Sequence, residues 1–397
     1  EGLSVRDGEG LSVRDGEGLL CAVLYLVINL LFISKYGLRV GVVVTVAAAV
    51  VYVAAVAALL TLLRHGAAVG WRWLSSGKTL WVALGLFTAL FVGVQYSIDP
   101  YSLQVDRWSA IHNFIDYLLQ GKYPYMAQTH LGGYGSPFPV WQVVHIPFYF
   151  LNNVGLSTFL TLFLAVASVK RLHGTRVAFA FLALMAFSPS FLYDIVVRSD
   201  LSANFLLVLA LVNGARIFGL RLSAHVGLYA VVIGLMLSTR VSVAVPFFIV
   251  LLVPFLGLPL WKKAALVVGV AAVWCVTFLP LLLWNSDGLL FFRYSPFVLQ
   301  TRQGSPVGMV VLLCLFVWLG LRGSRGERSR RDGMTNGNGV YCNIAYAMFL
   351  LTAVTFAVNM VAWDNYRLFS STYDISYFNM ALPFAAMAMT FKGKKAV

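Results

Sequence analysis

Apolar stretches long enough to cross a lipid bilayer recur along the whole chain. Over 397 residues the mean hydropathy is +0.83, and 60% of the residues are hydrophobic while only 11% are charged. A membrane-spanning helix needs about 20 mostly apolar residues. The alternation that is typical of a transmembrane β-barrel is not visible in the sequence. The composition therefore excludes an ordinary soluble domain and predicts an all-α, polytopic transmembrane helical bundle.

Polar residues divide the apolar sequence into about twelve predicted spans. The spans fall at 18–34, 41–63, 79–95, 155–169, 177–193, 201–215, 226–238, 241–257, 264–284, 306–321, 341–362 and 375–391. Residues 18–397 are accordingly predicted to form a single transmembrane domain. Residues 1–17 consist of an eight-residue polar unit that is repeated twice and begun a third time. Such a repeat cannot bury a core, so we predict that it is a disordered tail or an artefact outside the fold.

Basic residues mark one side of the predicted bundle. The loop at 323–333 is rich in arginine, and other short loops carry Lys170, Arg171, Arg176, Lys262 and Lys263. The positive-inside rule makes these loops cytoplasmic and places both termini on the cytoplasmic side. The formal net charge of +14 is therefore a topology signal, and nucleic acid is not predicted as a partner.

Eight of the ten acidic residues outside the repeat map to the opposite predicted face, and arginines accompany them there; the other two, Glu327 and Asp332, fall in the basic loop. The carboxylates are Asp99, Asp106, Asp116, Asp194, Asp200, Asp287, Asp364 and Asp374, and the arginines are Arg107, Arg198, Arg240, Arg293, Arg302 and Arg367. If acidic residues merely avoided the cytoplasmic side, that would explain the positions of the carboxylates but not those of the arginines. Because a charge at membrane depth costs about 2.5–3.5 kcal/mol on insertion scales, the mixed set favours a functional cavity.

The predicted loop at 96–154 is far longer than a connection requires, and loops of that length are usually functional. At 3.6 residues per turn, one stretch of the loop has a polar and an apolar face. The polar positions are Asp106, Ser109, Asn113, Asp116 and Gln120, and the apolar positions are Trp108, Ile111, Ile115 and Leu118. This pattern predicts an amphipathic helix that lies in the membrane interface and ends at Gly121. A second amphipathic segment at 140–150 leads into the fourth span.

The same loop carries elements of a known family. An aspartate lies near its start, a juxtamembrane helix follows, and a G-x-x-P-Y element comes about fifteen residues later. The matching positions are Asp106, Gly121, Pro124 and Tyr125. Together with the predicted topology, this pattern resembles the GT-C superfamily of integral-membrane glycosyltransferases, which use polyprenyl-phosphate sugars. In that family the loop usually follows the first span, whereas here it comes further along the chain.

The resemblance implies an inverting single displacement with one aspartate as the general base, and Asp106 is the matching position. Glycosyl transfer from a lipid phosphate needs a base for the acceptor hydroxyl and cations for the departing phosphate. An alternative role for Asp106 is to stabilise the start of its helix through the helix dipole. Asp200, Asp99 and Asp116 are further candidates for a carboxylate near the acceptor.

Five basic residues are candidates for binding the donor phosphate, because a guanidinium group can donate two hydrogen bonds at once. They are Arg240, Arg293, Arg302, Arg198 and His130. The arginines could equally anchor lipid headgroups, and a single interface histidine is more often satisfied locally. Arg198 and Asp200 could also pair with each other, with Ser199 capping the following helix. Tyr125, Tyr134 and Trp141 could stack on sugar faces, although aromatic belts at membrane interfaces explain them as well.

Motifs for nucleotides and metals are absent from the sequence. No GxGxxG, DxD or HExxH is present, and the P-loop-like SSGKT at 75–79 has Arg72 where the first glycine should stand. A nucleotide-sugar donor is therefore disfavoured, no metal site is predicted, and a divalent cation stays possible but unsupported. Cys21, Cys275, Cys314 and Cys342 occur singly and are predicted to be small core residues.

These observations predict a glycosyltransferase that moves a sugar, mannose by family frequency, from a polyprenyl-phosphate donor to a glycolipid or glycan acceptor that is lipid- or protein-linked. The enzyme would need no cofactor beyond this lipid-linked co-substrate and would act on the extracytoplasmic face, in a bacterial inner membrane. Two alternatives remain: a lipid or solute transporter or flippase, and a surface-polysaccharide polymerase or ligase. A transporter often shows internal repeats, and a polymerase usually has its large loop late in the chain; neither feature is visible here.

Overall fold

The computed structural model describes residues 13–69, 71–322, 338–370 and 372–390, and over these residues the chain is all-α. Five short 3₁₀ helices join the α-helices, at Pro100–Ser102, Pro124–Met126, Val154–Leu156, Val241–Val243 and Ile375–Met380. The α-helices of the described residues are α1 (Val13–Gly37), α2 (Val42–Val69), α3 (Arg72–Ser75), α4 (Gly77–Ser97), α5 (Arg107–Leu119), α6 (Pro139–Val144), α7 (Ile146–Phe150), α8 (Ser157–His173), α9 (Thr175–Ala186), α10 (Pro189–Val196), α11 (Leu201–Ile217), α12 (Val226–Leu237), α13 (Ala244–Leu256), α14 (Leu260–Trp284), α15 (Ser286–Leu290), α16 (Pro296–Thr301), α17 (Pro306–Arg322), α18 (Asn338–Ala362) and α19 (Leu382–Met389).

Six segments of the described chain are long and apolar enough to cross a membrane, which makes the fold compatible with an integral membrane protein. They are Gly18–Gly37, Val42–Leu63, Gly77–Ser97, Val154–His173, Leu260–Trp284 and Gly339–Ala362, and a seventh arises if α9 and α10 form one bent span. Each of the twelve predicted stretches contains helix, but α11, α12, α13 and α17 have only 12 to 17 residues. The all-α prediction is confirmed, while the number of spans stays a prediction.

The break between α9 and α10 follows from a serine and proline pair. Ser188 caps α10 by accepting a hydrogen bond from the Phe191 amide, and Pro189 occupies the first helical position. The two helices meet at 69°. Asn29 of α1 stabilises the break, because its side-chain oxygen accepts hydrogen bonds from the Ser188 hydroxyl, the Ser190 hydroxyl and the Ser190 amide at 2.6–3.1 Å.

Charged residues separate to two ends of the bundle, which we name the basic end and the acidic end. The basic end contains Lys78, Lys170, Arg176, Lys262 and Lys263. At this end Arg176 donates to the Ser75 hydroxyl at 2.6 Å, so the start of α9 lies beside α3. The acidic end contains the loop from residue 98 to residue 153, the segment from residue 285 to residue 305 and the residues that precede α11, α13 and α19. The eight aspartates named above lie at this end. The two ends agree with the charge pattern of the sequence. Which end faces the cytoplasm stays a prediction.

Two predictions about chain segments need correction. Helix α1 already begins at Val13, so the last residues of the predicted 1–17 tail are helical, while residues 1–12 lie outside the described residues.

Of the cysteines predicted to be core residues, Cys21 and Cys342 are buried with their sulfur atoms 3.0 Å apart, but Cys275 and Cys314 are exposed. Their helices α14 and α17 turn these positions outward, because both helices are packed on one side only.

Candidate functional site

The amphipathic helix predicted from the sequence is α5, and its apolar face packs inward. Trp108, Ile111 and Ile115 are buried in a cluster that also contains Trp141 of α6. The helix ends in a Schellman motif: the Lys122 amide donates to the carbonyl of Tyr117, and Gly121 has the left-handed φ of +68° that this ending requires. The predicted helix and its terminating glycine are therefore confirmed, whereas the apolar face, which was expected to lie in the membrane interface, packs against other parts of the protein.

The polar face of α5 is covered by the segment at 128–134. The Asn113 amide donates to the carbonyl of Gln128 at 2.7 Å, and the Ser109 hydroxyl lies 2.7 Å from His130 Nδ1. A single antiparallel bridge between Gln128 and Tyr134 holds this segment in a tight turn. The segment at 128–134 therefore lies directly over the polar face of α5.

Asp106 is the residue immediately before α5, but its carboxylate does not cap the helix. Instead Asp106 Oδ2 accepts a hydrogen bond from the Thr129 hydroxyl at 2.9 Å, and Thr129 in turn accepts from the Gly133 amide at 2.9 Å. The side chain is half-buried. Asp106 Oδ1 has no hydrogen-bond partner among the described residues, so one carboxylate oxygen stays available for a proton.

Both ring nitrogens of His130 are engaged locally. Nε2 lies 2.9 Å from the carbonyl of Leu103, which can only accept, so Nε2 carries a hydrogen. Nδ1 lies 2.7 Å from the Ser109 hydroxyl, which also donates to the carbonyl of Asp106. The ring also packs against Trp108 and Tyr101. His130 therefore connects α5 to the segments that flank it, and this geometry leaves no ring nitrogen for a phosphate group.

Arg107 joins α5 to the segment before α19. Its Nη2 donates to Asp374 Oδ2 at 2.6 Å and to the Ser376 hydroxyl at 2.9 Å, and its guanidinium lies over the ring of Tyr377. Partial burial opposes ionisation of Asp374, but the Arg107 charge and the bonds from Ser376 outweigh it and lower the pKa of Asp374 to about 2. The sequence marked both residues as charged positions on this face but did not select either as a site residue.

Asp200, Arg240 and Trp141 form a buried polar cluster. Asp200 Oδ2 accepts from Arg240 Nη2 at 2.6 Å and from the Trp141 indole at 2.7 Å. Burial alone would raise the pKa of Asp200, but the charges of Arg240 and Arg107 and the bond from Arg240 lower it. Three residues predicted separately from the sequence thus meet, with Arg240 neutralising a carboxylate and Trp141 fully buried.

The possible pairing of Arg198 with Asp200 does not occur. Arg198 has a left-handed φ of +54°, and its guanidinium donates to the carbonyls of Gln95 and Ile98 at the end of α4. That conformation turns the arginine away from the residue two positions later. The Ser199 hydroxyl accepts only a long 3.4 Å bond from the Leu201 amide.

A second aromatic and cationic group lies beside the Asp106 loop. Tyr134 stacks on Tyr294, with ring centroids 4.9 Å apart and an angle of 10° between planes, and Arg293 lies over the Tyr294 ring. Gln300 donates to the carbonyl of Ser136 at 2.8 Å, which fixes this segment against the same loop. Arg293 and Arg302 are exposed, and neither contacts a carboxylate among the described residues.

The remaining predicted site residues have local partners. Asp99 is exposed and caps the 3₁₀ helix that follows it by accepting from the Tyr101 amide. Asp116 accepts from the Tyr149 hydroxyl at 3.1 Å and from Gln120 at 2.7 Å. Tyr125 is buried and donates to the carbonyl of Pro137, so its ring serves as part of the core.

Several buried polar atoms near Asp194 of α10 and Asp200, the residue before α11, have no hydrogen-bond partner within the described part of the chain. They are Asp194 Oδ1, Asp200 Oδ1, Arg107 Nη1, Arg240 Nε, Gln142 Oε1 and both polar atoms of the Asn204 side chain. Buried polar groups are as a rule hydrogen-bonded, so this region can offer donors and acceptors to hydroxyl groups. Asn204 was not among the site residues predicted from the sequence. Its position four residues after Asp200, on one face of α11, could have indicated it.

Metal ligands do not converge in the described part of the chain: no three His, Cys, Asp or Glu side chains lie close enough together to hold a metal ion. Comparison of the sequence and the fold with protein-family models, curated proteins and solved structures finds no match. The described residues thus form an all-α protein. Several of its helices are long and apolar enough to cross a membrane, and its buried charged residues lie together at one end.

Proposed function

We propose that the protein is an integral-membrane glycosyltransferase that uses a polyprenyl-phosphate sugar as donor. The observation that carries this proposal is the arrangement around Asp106: a half-buried carboxylate with one unpartnered oxygen shares a loop with Tyr134, which stacks on Tyr294 beside the exposed Arg293. A base and a cation near one surface are the two groups that the transfer requires.

Asp106 is the strongest of the four carboxylates proposed for the base. Asp200 is neutralised by Arg240, both oxygens of Asp116 accept hydrogen bonds, and Asp99 is an exposed cap. In the proposed step, Asp106 takes the proton of an acceptor hydroxyl whose oxygen forms a bond to the anomeric carbon. The bond from that carbon to the phosphate oxygen breaks, and the electron pair leaves with the lipid phosphate.

Arg293 and Arg302 are the proposed phosphate ligands, because their guanidinium groups are exposed and lie on the segment that packs against the Asp106 loop. Arg240 and Arg198 are less suited to this role, since one is paired with Asp200 and the other donates to backbone carbonyls. Arginine held near an open surface can form a bidentate contact with a phosphate.

The test uses purified full-length protein with a synthetic polyprenyl-phosphate mannose and a membrane lipid extract as the source of acceptor. Release of polyprenyl phosphate is measured, since it is a product whatever the acceptor is. Asp106→Asn should lower the release at least about 100-fold, in line with the usual contribution of a general base, while donor binding is kept. Arg293→Ala combined with Arg302→Ala should weaken donor binding.

Asp287→Asn is the matched control, because Asp287 is an exposed aspartate at the same end. It should release polyprenyl phosphate at the wild-type rate. Full activity of Asp106→Asn would remove Asp106 from the mechanism. If the wild type released no lipid phosphate from any of several hexosyl and pentosyl donors, the proposed function would be rejected.

Transport of a lipid or solute is the second candidate, and the buried unpartnered atoms of Asp194 and Asn204 favour it. Both side chains have no exposed surface, and polar groups buried between apolar helices often mark transport pathways. Movement of a fluorescent lipid phosphate across vesicles containing the protein, without cleavage of the sugar bond, would support transport over transfer.

A further inference from the structure

A groove of about 590 Å³ runs between α12 and α14 at the basic end, away from the candidate site. Its mouth is lined by Ser223 and Lys262, and its floor by small residues such as Ala230, Gly269 and Ala272. The helices touch closely behind the groove, because a methyl group added at Gly269 would come within 2.8 Å of the Ala230 methyl. The groove therefore has a narrow apolar floor and a polar opening.

The opening of the groove is electrostatically positive. Helices α12 and α14 both begin there, so the positive ends of two helix dipoles point toward it. Lys262, in the first turn of α14, lines the groove, whereas the ammonium group of the next residue, Lys263, lies over the Phe255 ring of α13. None of the described lining residues is acidic. The Lys262 ammonium group donates to the carbonyl of Ser223 at 2.6 Å, which places its charge at the opening with further donors available.

The remainder of the groove suits a hydrocarbon chain. Beyond its opening the groove is lined by alanine, glycine and valine residues of α12 and α14, including Val231, Ala265 and Val273. These residues give an acyl chain apolar contacts and leave no side-chain polar group that would need a partner. Trp261 at the opening is 67% exposed, as is typical of tryptophan at the level of lipid headgroups.

We propose that this groove binds an anionic phospholipid, with the phosphate at the N-terminal turns of α12 and α14 and one acyl chain along the line from Ala265 to Ala272. A phospholipid fits the groove better than a free phosphate ion does, because the positive opening continues directly into an apolar channel that the ion would leave uncovered. Basic pockets between transmembrane helices are known to bind anionic headgroups in this way. The site is independent of the proposed transferase reaction.

The test is native mass spectrometry of the full chain released from detergent, with phosphatidylglycerol or phosphatidylcholine of identical acyl chains. We expect phosphatidylglycerol to be retained and phosphatidylcholine to be lost. Lys262→Ala should weaken retention by about fivefold, from the usual contribution of a basic residue near an anionic membrane surface. Ala272→Phe, which fills the channel without removing charge, should also weaken it.

Two matched controls separate the site from general effects. Lys78→Ala removes an exposed lysine from the first turn of α4 at the same end, and Ala271→Phe adds a ring at an exposed α14 position outside the groove lining. Both should retain phosphatidylglycerol as the wild type does. Because Lys262 contacts the backbone of Ser223, the melting temperature of each variant without lipid is measured, and Lys262→Gln, which can still donate to that carbonyl, serves if Lys262→Ala is unfolded.

Three results would overturn the proposal. Equal retention of both lipids would show that charge does not select the ligand. Wild-type retention by Ala272→Phe and by the folded lysine variant would place the lipid elsewhere. Binding of inorganic phosphate without any retention of phosphatidylglycerol would show that the opening binds the ion alone and that the channel plays no part.

Discussion

Arg107 Nη2 donates a hydrogen bond to Asp374 Oδ2 at 2.6 Å, although 267 positions separate the two residues in the chain. This contact holds the first turn of α5, next to Asp106, against the 3₁₀ helix that precedes α19. The loop that carries the candidate base is therefore fixed by the last part of the described chain.

The stability of the protein should fall in acid partly through Asp374. Its pKa of about 2 in the folded protein is below the ordinary value of 3.8, so the charged carboxylate stabilises the fold above about pH 4. This contribution is lost as the pH falls from about 4 to about 2. Melting temperatures measured over this range should decline less for Asp374→Asn than for the wild type, and Asp287→Asn should follow the wild type. The effect is modest, because the Asp374 side chain is 47% exposed.

Arg240→Met should strongly destabilise the protein, because it leaves the Asp200 carboxylate buried without its cation. Loss of one partner of a buried ion pair usually costs about 3–5 kcal/mol. Adding Asp200→Leu should recover part of that loss, although the Trp141 indole then lacks an acceptor. Unfolding by denaturant in detergent measures both variants. If the double variant were less stable than Arg240→Met alone, the buried charge would not be the cause.

Gly133→Ala should disturb Asp106 without unfolding the protein. A methyl group at this position would lie 2.8 Å from Asp106 Oδ2 and 3.2 Å from the Thr129 hydroxyl, so the carboxylate has to move. We expect a lower rate of lipid-phosphate release at a nearly unchanged melting temperature. Gly93→Ala on α4, where an added methyl meets nothing within 4 Å, is the control. An unchanged rate for Gly133→Ala would show that the position of this carboxylate oxygen is unimportant.

Asn29→Leu should destabilise the bend between α9 and α10. The Asn29 side-chain oxygen accepts three hydrogen bonds from Ser188 and Ser190, and each donor left unsatisfied in the core costs about 1–3 kcal/mol. Asn29→Gln keeps a neutral amide oxygen as an acceptor and should unfold at a higher temperature than Asn29→Leu. Equal melting temperatures for the wild type and Asn29→Leu would mean that the serine and proline pair alone maintains the bend.

Local periodicity was sufficient to predict α5, because a helix with one apolar face shows that face in its own residues. Trp108, Ile111 and Ile115 are buried as the spacing indicates, and the chain turns at Gly121. The same periodicity could not show that residues 128–130 cover the polar face, since that depends on a turn formed later in the chain. His130 was accordingly predicted as a phosphate ligand, while in the structure its ring nitrogens contact Leu103 and Ser109.

Hydropathy located the twelve apolar stretches but not the lengths of their helices. The stretch at 375–391 begins as a 3₁₀ helix, and the one at 241–257 begins with the 3₁₀ turn Val241–Val243. A hydropathy average counts apolar side chains and does not register backbone geometry. The pairings of Arg107 with Asp374 and of Arg240 with Asp200 were also beyond prediction, because each charge has several possible partners until the helices pack.

The contact between Arg107 and Asp374 also bears on biosynthesis. At the usual rate of about 5–20 residues per second, the ribosome needs roughly 15–50 s to add the 267 positions between them. During that interval the α5 guanidinium emerges without its carboxylate, so a nascent chain stalled before Asp374 should present a protease-sensitive loop. The acidic end can then reach its folded arrangement only after the segment that contains Asp374 has been made.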